Sequence, residues 1–291
     1  MKTWFITGAS RGFGARVAEL ALAQGDRVVA TARNPRTVLE RLGDHPQLLA
    51  LPLDVTDEAQ AVAAAAAAIE HFGRIDVLLN NAGYGLLGAV EEASGAEVEA
   101  LYRTNVFGLL AVTRAVLPYM RAQRSGRILN VSSIGGYRAA AGFGVYCSTK
   151  FAVEGLSEAL HAELAPLGIH VTVVEPGYFR TDFLDATSLS ISGASIADYN
   201  ATAGSVRVAA TDLNHQQPGD PDRLAQVLVA FADAADPPVR LPLGSDTVAA
   251  LQAKHAADAA LLERWHDVAI STDFGAAAVD AAFASAAERR H

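Results

Sequence analysis

The sequence predicts a doubly wound α/β fold, a parallel sheet of about seven strands with helices on both faces. Three observations carry this reading. Short β-rich runs alternate with longer helical patterns from the first residues onward. Those runs are apolar almost throughout, as strands covered on both faces require. A glycine-rich turn joins the first run to the first helical pattern.

Taken in order, the expected strands are TWFIT (3–7), RVVAT (27–31), LLALPLD (48–54), DVLLNNA (76–82), GRILNVSS (126–133) and HVTVVEP (170–176), with VRLPL (239–243) as the seventh. Helical patterns fill the gaps at 12–24, 57–72, 95–120 and 146–165. The alanine run at 61–68 reads as helix, because alanine is the best helix former. Pro166 and Gly168 end the last of these helices. Two regions leave the rhythm. The stretch 181–222 is rich in Ser, Ala, Asp and Gly, with weak helical patterns, and its bulk (about 183–222) sits where a lid over a cleft is inserted. The tail 245–291 reads as one or two alanine-rich helices. The expectation is one domain over 1–291, with an inserted lid and a helical extension.

Composition narrows the function. The 291 residues are 51% hydrophobic with a net charge of −9 and scattered arginines, which argues against a nucleic-acid partner. No apolar run is long enough to span a bilayer, so no membrane partner is expected. The first strand begins almost at Met1, leaving no room for a signal peptide, and the single Cys147 fits a reducing compartment; a cytoplasmic location is expected. The eight histidines form no metal-binding pattern, so no metal is expected.

The turn TGASRGFG places Gly8, Gly12 and Gly14 between the first strand and its helix. Glycine there allows a tight turn and close approach of a pyrophosphate to the helix N-terminus. No carboxylate occurs between Asp26 and Glu40, where an NAD-selective site usually holds the ribose hydroxyls with an acid. Arg33 instead suits a 2′-phosphate, and Arg11 is placed to close on it from the glycine loop. NADP(H) is therefore the expected cofactor, with NAD(H) as the alternative.

The stretch SIGGYRAAAGFGVYCSTK sets Ser133 thirteen residues before Tyr146, and Lys150 four residues after it. On a helix, Tyr146 and Lys150 share a face. An ammonium beside a phenol stabilises the phenolate and brings its pKa toward a useful range, and Ser133 can bond the same substrate oxygen. The lysine is telling: it occurs only at 2, 150 and 254, against twenty arginines. A bare Y-x-x-x-K is common on surface helices, and gains its force from this company. Ser133 is preferred to Ser132 because neighbours on an extended strand point opposite ways.

Together TGASRGFG, LDV (53–55), NNAG (80–83), Asn105, Ser133, Tyr146/Lys150 and PG (176–177) resemble the short-chain dehydrogenase/reductase family over roughly the first 180 residues. The resemblance implies a Rossmann-type fold with Asn105, Ser133, Tyr146 and Lys150 as catalytic residues. It implies a cofactor held by Gly8, Ser10, Arg11, Gly12, Phe13, Gly14 and Arg33. Asp54 and Val55 would seat the adenine, while Asn80, Ala82 and Gly83 line the cofactor and Asn81 braces the strands. Lys150 would bond the nicotinamide ribose, Asn105 would fix a water, and Pro176, Gly177 and Thr181 would meet the nicotinamide end. The length is similar to hydroxysteroid- and retinol-type relatives more than to acyl-carrier-protein ketoreductases, and a homo-oligomer, a dimer or tetramer, is implied.

The expected activity is NADP(H)-dependent interconversion of a small-molecule carbonyl and its alcohol. Gly135, Phe143, Tyr178, Phe179 and parts of 183–215 are candidate substrate-facing residues, mostly small or apolar, which favours a neutral, fairly apolar ketone, aldehyde or alcohol. Arg138 and Arg180 are the only candidate clamps for a substrate carboxylate, and solvated arginine is the plainer reading of both. Reduction of a 3-oxoacyl thioester is the alternative substrate class. A catalytically silent, redox-sensing regulator is the alternative function.

Overall fold

In the computed structural model, which describes residues 1–275 and 278–289, the sheet forms where the apolar runs predict it. β1 (Thr3–Thr7) runs into α1 (Gly12–Ala23), followed by β2 (Arg27–Ala32), α2 (Arg36–Leu42), β3 (Leu48–Pro52), α3 (Glu58–Phe72) and β4 (Val77–Asn80). A short β5 (Gly85–Leu87) precedes α4 (Gly95–Tyr102), a π-helical turn (Arg103–Gly108) and α5 (Leu109–Gln123). Then come β6 (Gly126–Val131), α6 (Gly144–Leu164), β7 (Ile169–Pro176), β8 (Leu189–Ile191), α7 (Ser205–Leu213), α8 (Pro221–Phe231), β9 (Arg240–Leu243), α9 (Ser245–Ile270) and α10 (Val279–Glu288). The chain forms two compact units, Met1–Thr247 and Val248–His291.

In the first unit a seven-stranded sheet has the order β3-β2-β1-β4-β6-β7-β9, parallel at every pairing. Alternation along each strand feeds two cores. Trp4, Ile6, Val28, Ala30, Val77 and Leu79 face the layer with Val17, Leu224 and Leu228, from α1 and α8. Phe5, Val29, Leu78 and Ile128 face Ala61, Ala65, Val112 and Met120, from α3 and α5. Trp4, Phe5 and Ile6 have no exposed surface, and burying each contributes about 1.5–3 kcal/mol. Asp57 caps α3 and Asp220 caps α8, each through backbone N–H groups. The strand order reverses at β1, so the loops after β1 and β4 diverge and open a crevice at the carboxyl ends of the strands.

The structure departs from the expected elements in four places. The helix expected over 95–120 is interrupted at Arg103–Gly108 by the π turn. The strand expected over 76–82 ends at Asn80, and β5 pairs in parallel with β8, from the 183–222 stretch, as a separate two-stranded sheet. α2 was not among the expected helices, nor was α8, whose first turn overlaps the end of the expected lid. The signal for α8 is nonetheless plain: an aspartate cap, Pro221 at the first helical position, and Leu224, Leu228 and Val229 on one face. The second unit holds most of α9 together with α10, joined by a Trp265–Phe283 ring contact and the Asp267–Arg289 ion pair. Positions 276, 277, 290 and 291 of the expected tail lie outside the described residues. Among the described residues no helix is long and apolar enough to cross a membrane.

Candidate active site

A cavity of about 900 Å³ follows the crevice from Arg33, Asp54 and Val55, past the glycine loop, to Tyr146, Lys150 and Pro176. Its floor is main chain. At Gly8 a side chain would meet the Ala82 backbone at 3.1 Å, and the residue's φ of +64° favours glycine. Gly14 lies behind the loop: a methyl group there would stand 2.7 Å from the Gly8 carbonyl and 2.6 Å from Asn81 Nδ2. Thr7 and Asn81 lock the floor, since Asn81 Nδ2 donates to the Thr7 and Gly8 carbonyls at 3.0 Å, and Thr7 Oγ1 accepts from the Asn81 and Ala82 amides. Asn81 thus braces the strands as the resemblance implied.

At the adenine end, Asp54 Oδ1 accepts from the Thr56 amide (2.9 Å) and hydroxyl (2.7 Å), and these bonds, with a smaller pull from Arg33, hold its carboxyl below the usual range. Ser10, Gly12, Phe13, Ala82 and Gly83 line the cavity, as do Gly177 and Thr181. The continuous crevice, its bare backbone floor and the arginine at its outer end fit a nicotinamide dinucleotide.

Asn80 sits elsewhere than the sequence suggested, and two arginines have partners that it did not show. Asn80 is buried in the sheet, where Nδ2 donates to Thr113 Oγ1 and Asn130 Oδ1 at 2.9 Å, so it braces β4 against β6 and α5 and does not line the crevice. Arg11, which lines the cavity, donates to the Thr187 carbonyl at 2.5 Å, a partner that no local pattern announces. Arg180 donates to the Gln217 carbonyl, which removes it as a free clamp; Arg138 is exposed at the cavity wall.

At the inner end, β6 delivers Ser133 and α6 delivers Tyr146 and Lys150. Tyr146 is 8% exposed. Burial holds its phenol well above the ordinary tyrosine range, and a hydrogen bond with Ser133 pulls the other way. The sequence expects Lys150 to acidify the phenol; in this structure the group that pulls the phenol down is Ser133. Lys150 Nζ lies 5.8 Å from the Tyr146 ring centroid and donates to the Val131 carbonyl at 2.9 Å. Burial pulls Lys150 down to about 8, against the attraction of the Glu154 carboxylate. Ser132, as alternation requires, turns the opposite way, toward Gly136 and Glu154.

Asn105 stands one layer back, 2% exposed, in the π turn. The widened turn lets its amide grip the Tyr84 main chain at both ends: Nδ2 donates to the Tyr84 carbonyl at 2.9 Å, and Oδ1 accepts from the Tyr84 amide at 3.1 Å. Nδ2 also reaches Thr149 Oγ1 at 3.2 Å. Over Tyr146 lies an apolar wall. Phe143 and Phe183 approach the Tyr146 ring at 6.0 and 5.6 Å between centroids, with Leu86, Leu87, Leu189 and Cys147 behind. Phe179 packs edge-on against Phe13 at 5.5 Å. Asp246, at the start of α9, accepts from the Tyr178 amide at 2.7 Å and so pins the Gly177–Tyr178 segment, a contact the sequence gave no sign of. Among the described residues no group of three or more His, Cys, Asp or Glu side chains is placed to hold a metal ion.

Comparison with known proteins agrees with this geometry. Residues 2–190 match the short chain dehydrogenase family model. Oxidoreductase BOA17 of Botryotinia fuckeliana is 38% identical over 277 residues, 93% of this chain and 99% of that protein. The 3-ketodihydrosphingosine reductase of Bacteroides thetaiotaomicron is 38% identical over 240 residues, 82% of this chain and 86% of that one. Among solved structures, a short-chain dehydrogenase from Streptomyces avermitilis superposes with a TM-score of 0.87 at 40% identity, covering 94% of this chain and all of that one. A serine dehydrogenase complexed with NADP+ gives 0.70 at 28% identity, covering 83% of this chain and 94% of that chain. A 3-ketoacyl-(acyl-carrier-protein) reductase from Brucella melitensis complexed with NADH gives 0.69 at 27%, covering 83% and 96%.

Proposed function

This chain belongs to the short-chain dehydrogenase/reductase family and is an oxidoreductase, and from that premise we propose that it reduces a neutral, apolar ketone or aldehyde with NADP(H), Tyr146 serving as the proton donor. The cofactor, when bound, supplies the hydride. The chain's own groups do the rest. Ser133 and Tyr146, linked by a hydrogen bond, converge on one point of the cavity wall and together polarise a carbonyl oxygen. Because burial keeps the phenol protonated at neutral pH, Tyr146 is loaded to give its proton to the developing alkoxide. Lys150, buried beside Gly83, places a positive charge next to that site without competing for the substrate oxygen. Phe143, Phe183 and Leu189 exclude water and favour a carbon chain or ring over a charged group.

The observation that carries this reading is the single cavity joining the glycine loop to the Ser133–Tyr146 pair. A relative named for reduction of 3-ketodihydrosphingosine supports a ketone with apolar character. The exposed Arg33, with no acid before Glu40, supports NADP(H) over NAD(H). The test is NADPH consumption across a panel of apolar ketones and aldehydes, with Tyr146→Phe as the control. The variant should still quench NADPH fluorescence on binding, and should lose turnover by roughly 10²–10⁴-fold. Turnover within threefold of the parent would remove Tyr146 from the proton-transfer role.

A further inference from the structure

Behind the Ser133–Tyr146–Lys150 group lies a second polar cluster that the chemistry above does not use. Glu154, one helical turn beyond Lys150 on α6, is 3% exposed, and Glu175, the residue before Pro176 on β7, is 1% exposed. Arg240 of β9 ties them together: Nη1 donates to Glu154 Oε2 at 2.6 Å and to Glu175 Oε1 at 2.8 Å, while Nη2 donates to Glu158 Oε1 at 2.7 Å. The guanidinium also stacks on the Tyr137 ring at 5.3 Å. The far oxygens, Glu154 Oε1 and Glu175 Oε2, have no well-formed bond, and neither does Ser132 Oγ, although that hydroxyl is near enough to favour the ionised Glu154. A buried carboxylate oxygen without a partner is costly, and two carboxylates this close do not ionise independently.

Three of the four segments meeting here, the ends of β6 and β7 and the helix α6, carry the active site. Ser132 adjoins Ser133, Glu154 shares a face of α6 with Lys150, and Glu175 adjoins Pro176. We propose that Glu154 is a positioning residue that keeps Lys150 an ammonium ion at the pH of turnover, with Arg240 and Glu175 holding its carboxylate in place one helical turn away. Lys150 has Tyr146 and Glu154 on its own helix, the Val131 carbonyl from β6, and Gly83 with Asn105 on the opposite side; of these Glu154 is the one negative charge. Burial alone favours the neutral amine, and the Glu154 carboxylate opposes it. Glu154 is itself held above the usual carboxylate range, first by burial and then by Glu175. When ionised, Glu154 delays the loss of the Lys150 proton. The need for an ammonium in turnover rests on the proposed function; its dependence on Glu154 does not.

The lysine scarcity of the chain makes the test direct. With Lys2→Arg and Lys254→Arg, both half-buried ion-pair positions, Lys150 is the sole lysine, and its ¹³Cε resonance in ¹³C-lysine-labelled protein reports its charge. Glu154→Gln in that background should move the Lys150 midpoint down by about one pH unit, the scale of an i,i+4 charge interaction in a buried site. Glu154→Asp, which keeps the charge, should restore most of the shift. In the background protein with Glu154 intact, the same resonance should show a second, smaller inflection where the carboxyl pair ionises. An unchanged midpoint in Glu154→Gln, or a single sigmoid with Glu154 intact, overturns the proposal, and the latter holds even if the substituted chain does not fold. The alkaline limb of kcat/KM should move down with the midpoint. A chain inactive on every carbonyl tested but showing the shift would sink the proposed function and leave this inference standing.

Discussion

Replacing Asn105 with alanine tests whether the π turn is a device for fixing the active-site floor. The amide makes three bonds: two part-buried ones, to the Tyr84 carbonyl (2.9 Å) and from the Tyr84 amide (3.1 Å), and a buried one to Thr149 Oγ1 (3.2 Å). Thr149 keeps its own bond to the Tyr146 carbonyl, so its hydroxyl is not stranded. The two main-chain groups of Tyr84 are. A neutral buried bond contributes about 1 kcal/mol net, and each stranded partner costs about 1–3 kcal/mol. Asn105→Ala should therefore lower stability by about 2–4 kcal/mol. The measurement is urea unfolding followed by far-UV circular dichroism, read as a fall in midpoint at constant m. Turnover should fall as well, because a side chain placed at Gly83 would stand 3.1 Å from Asn105 Oδ1 and 3.8 Å from Lys150 Nζ, so the loop and the lysine share one support. A loss below about 1 kcal/mol would refute the reasoning. It would mean that the turn relaxes to regular helix and satisfies Tyr84 by other means.

Two further outcomes are expected. Ser133→Ala removes the bond that pulls the Tyr146 phenol down, so that phenol rises further; alcohol oxidation should then reach half its maximal rate at higher pH, and an unchanged kcat–pH profile would argue against the Ser133–Tyr146 link. Arg33→Ala should raise KM for NADPH by roughly 10–100-fold while leaving NADH little affected, the scale of one charge-assisted bond to a phosphate, and equal effects on both cofactors would exclude Arg33 as the 2′-phosphate partner.

The alternation of apolar strands with helices was legible residue by residue, since TWFIT and DVLLN carry their two-sided burial in their composition. The glycine loop was legible for a different reason: a left-handed Gly8 and a crowded Gly14 favour glycine over other residues, so the backbone writes itself into the sequence. The same holds for Tyr146 and Lys150, which helical spacing alone sets on one face. Glu154 and Glu175 also left a trace. A glutamate in the apolar run of β7 and another four residues past Lys150 are anomalies that a closer reading of VTVVEP and KFAVEG finds.

What the sequence by itself determined is everything that depends on near neighbours: the strand and helix periods, the caps, the glycine loop and the pairing of phenol with lysine. Tertiary structure alone decided which distant group each polar side chain meets. Arg11 found the Thr187 carbonyl, Asn80 an interior hydroxyl and amide, Lys150 the Val131 carbonyl, and β5 a strand about a hundred residues on. The physical reason is that a buried polar group must be satisfied by whatever donor or acceptor the packed chain brings within about 3 Å. Local spacing fixes where a side chain points, and the folding of the whole sheet fixes what is there to receive it.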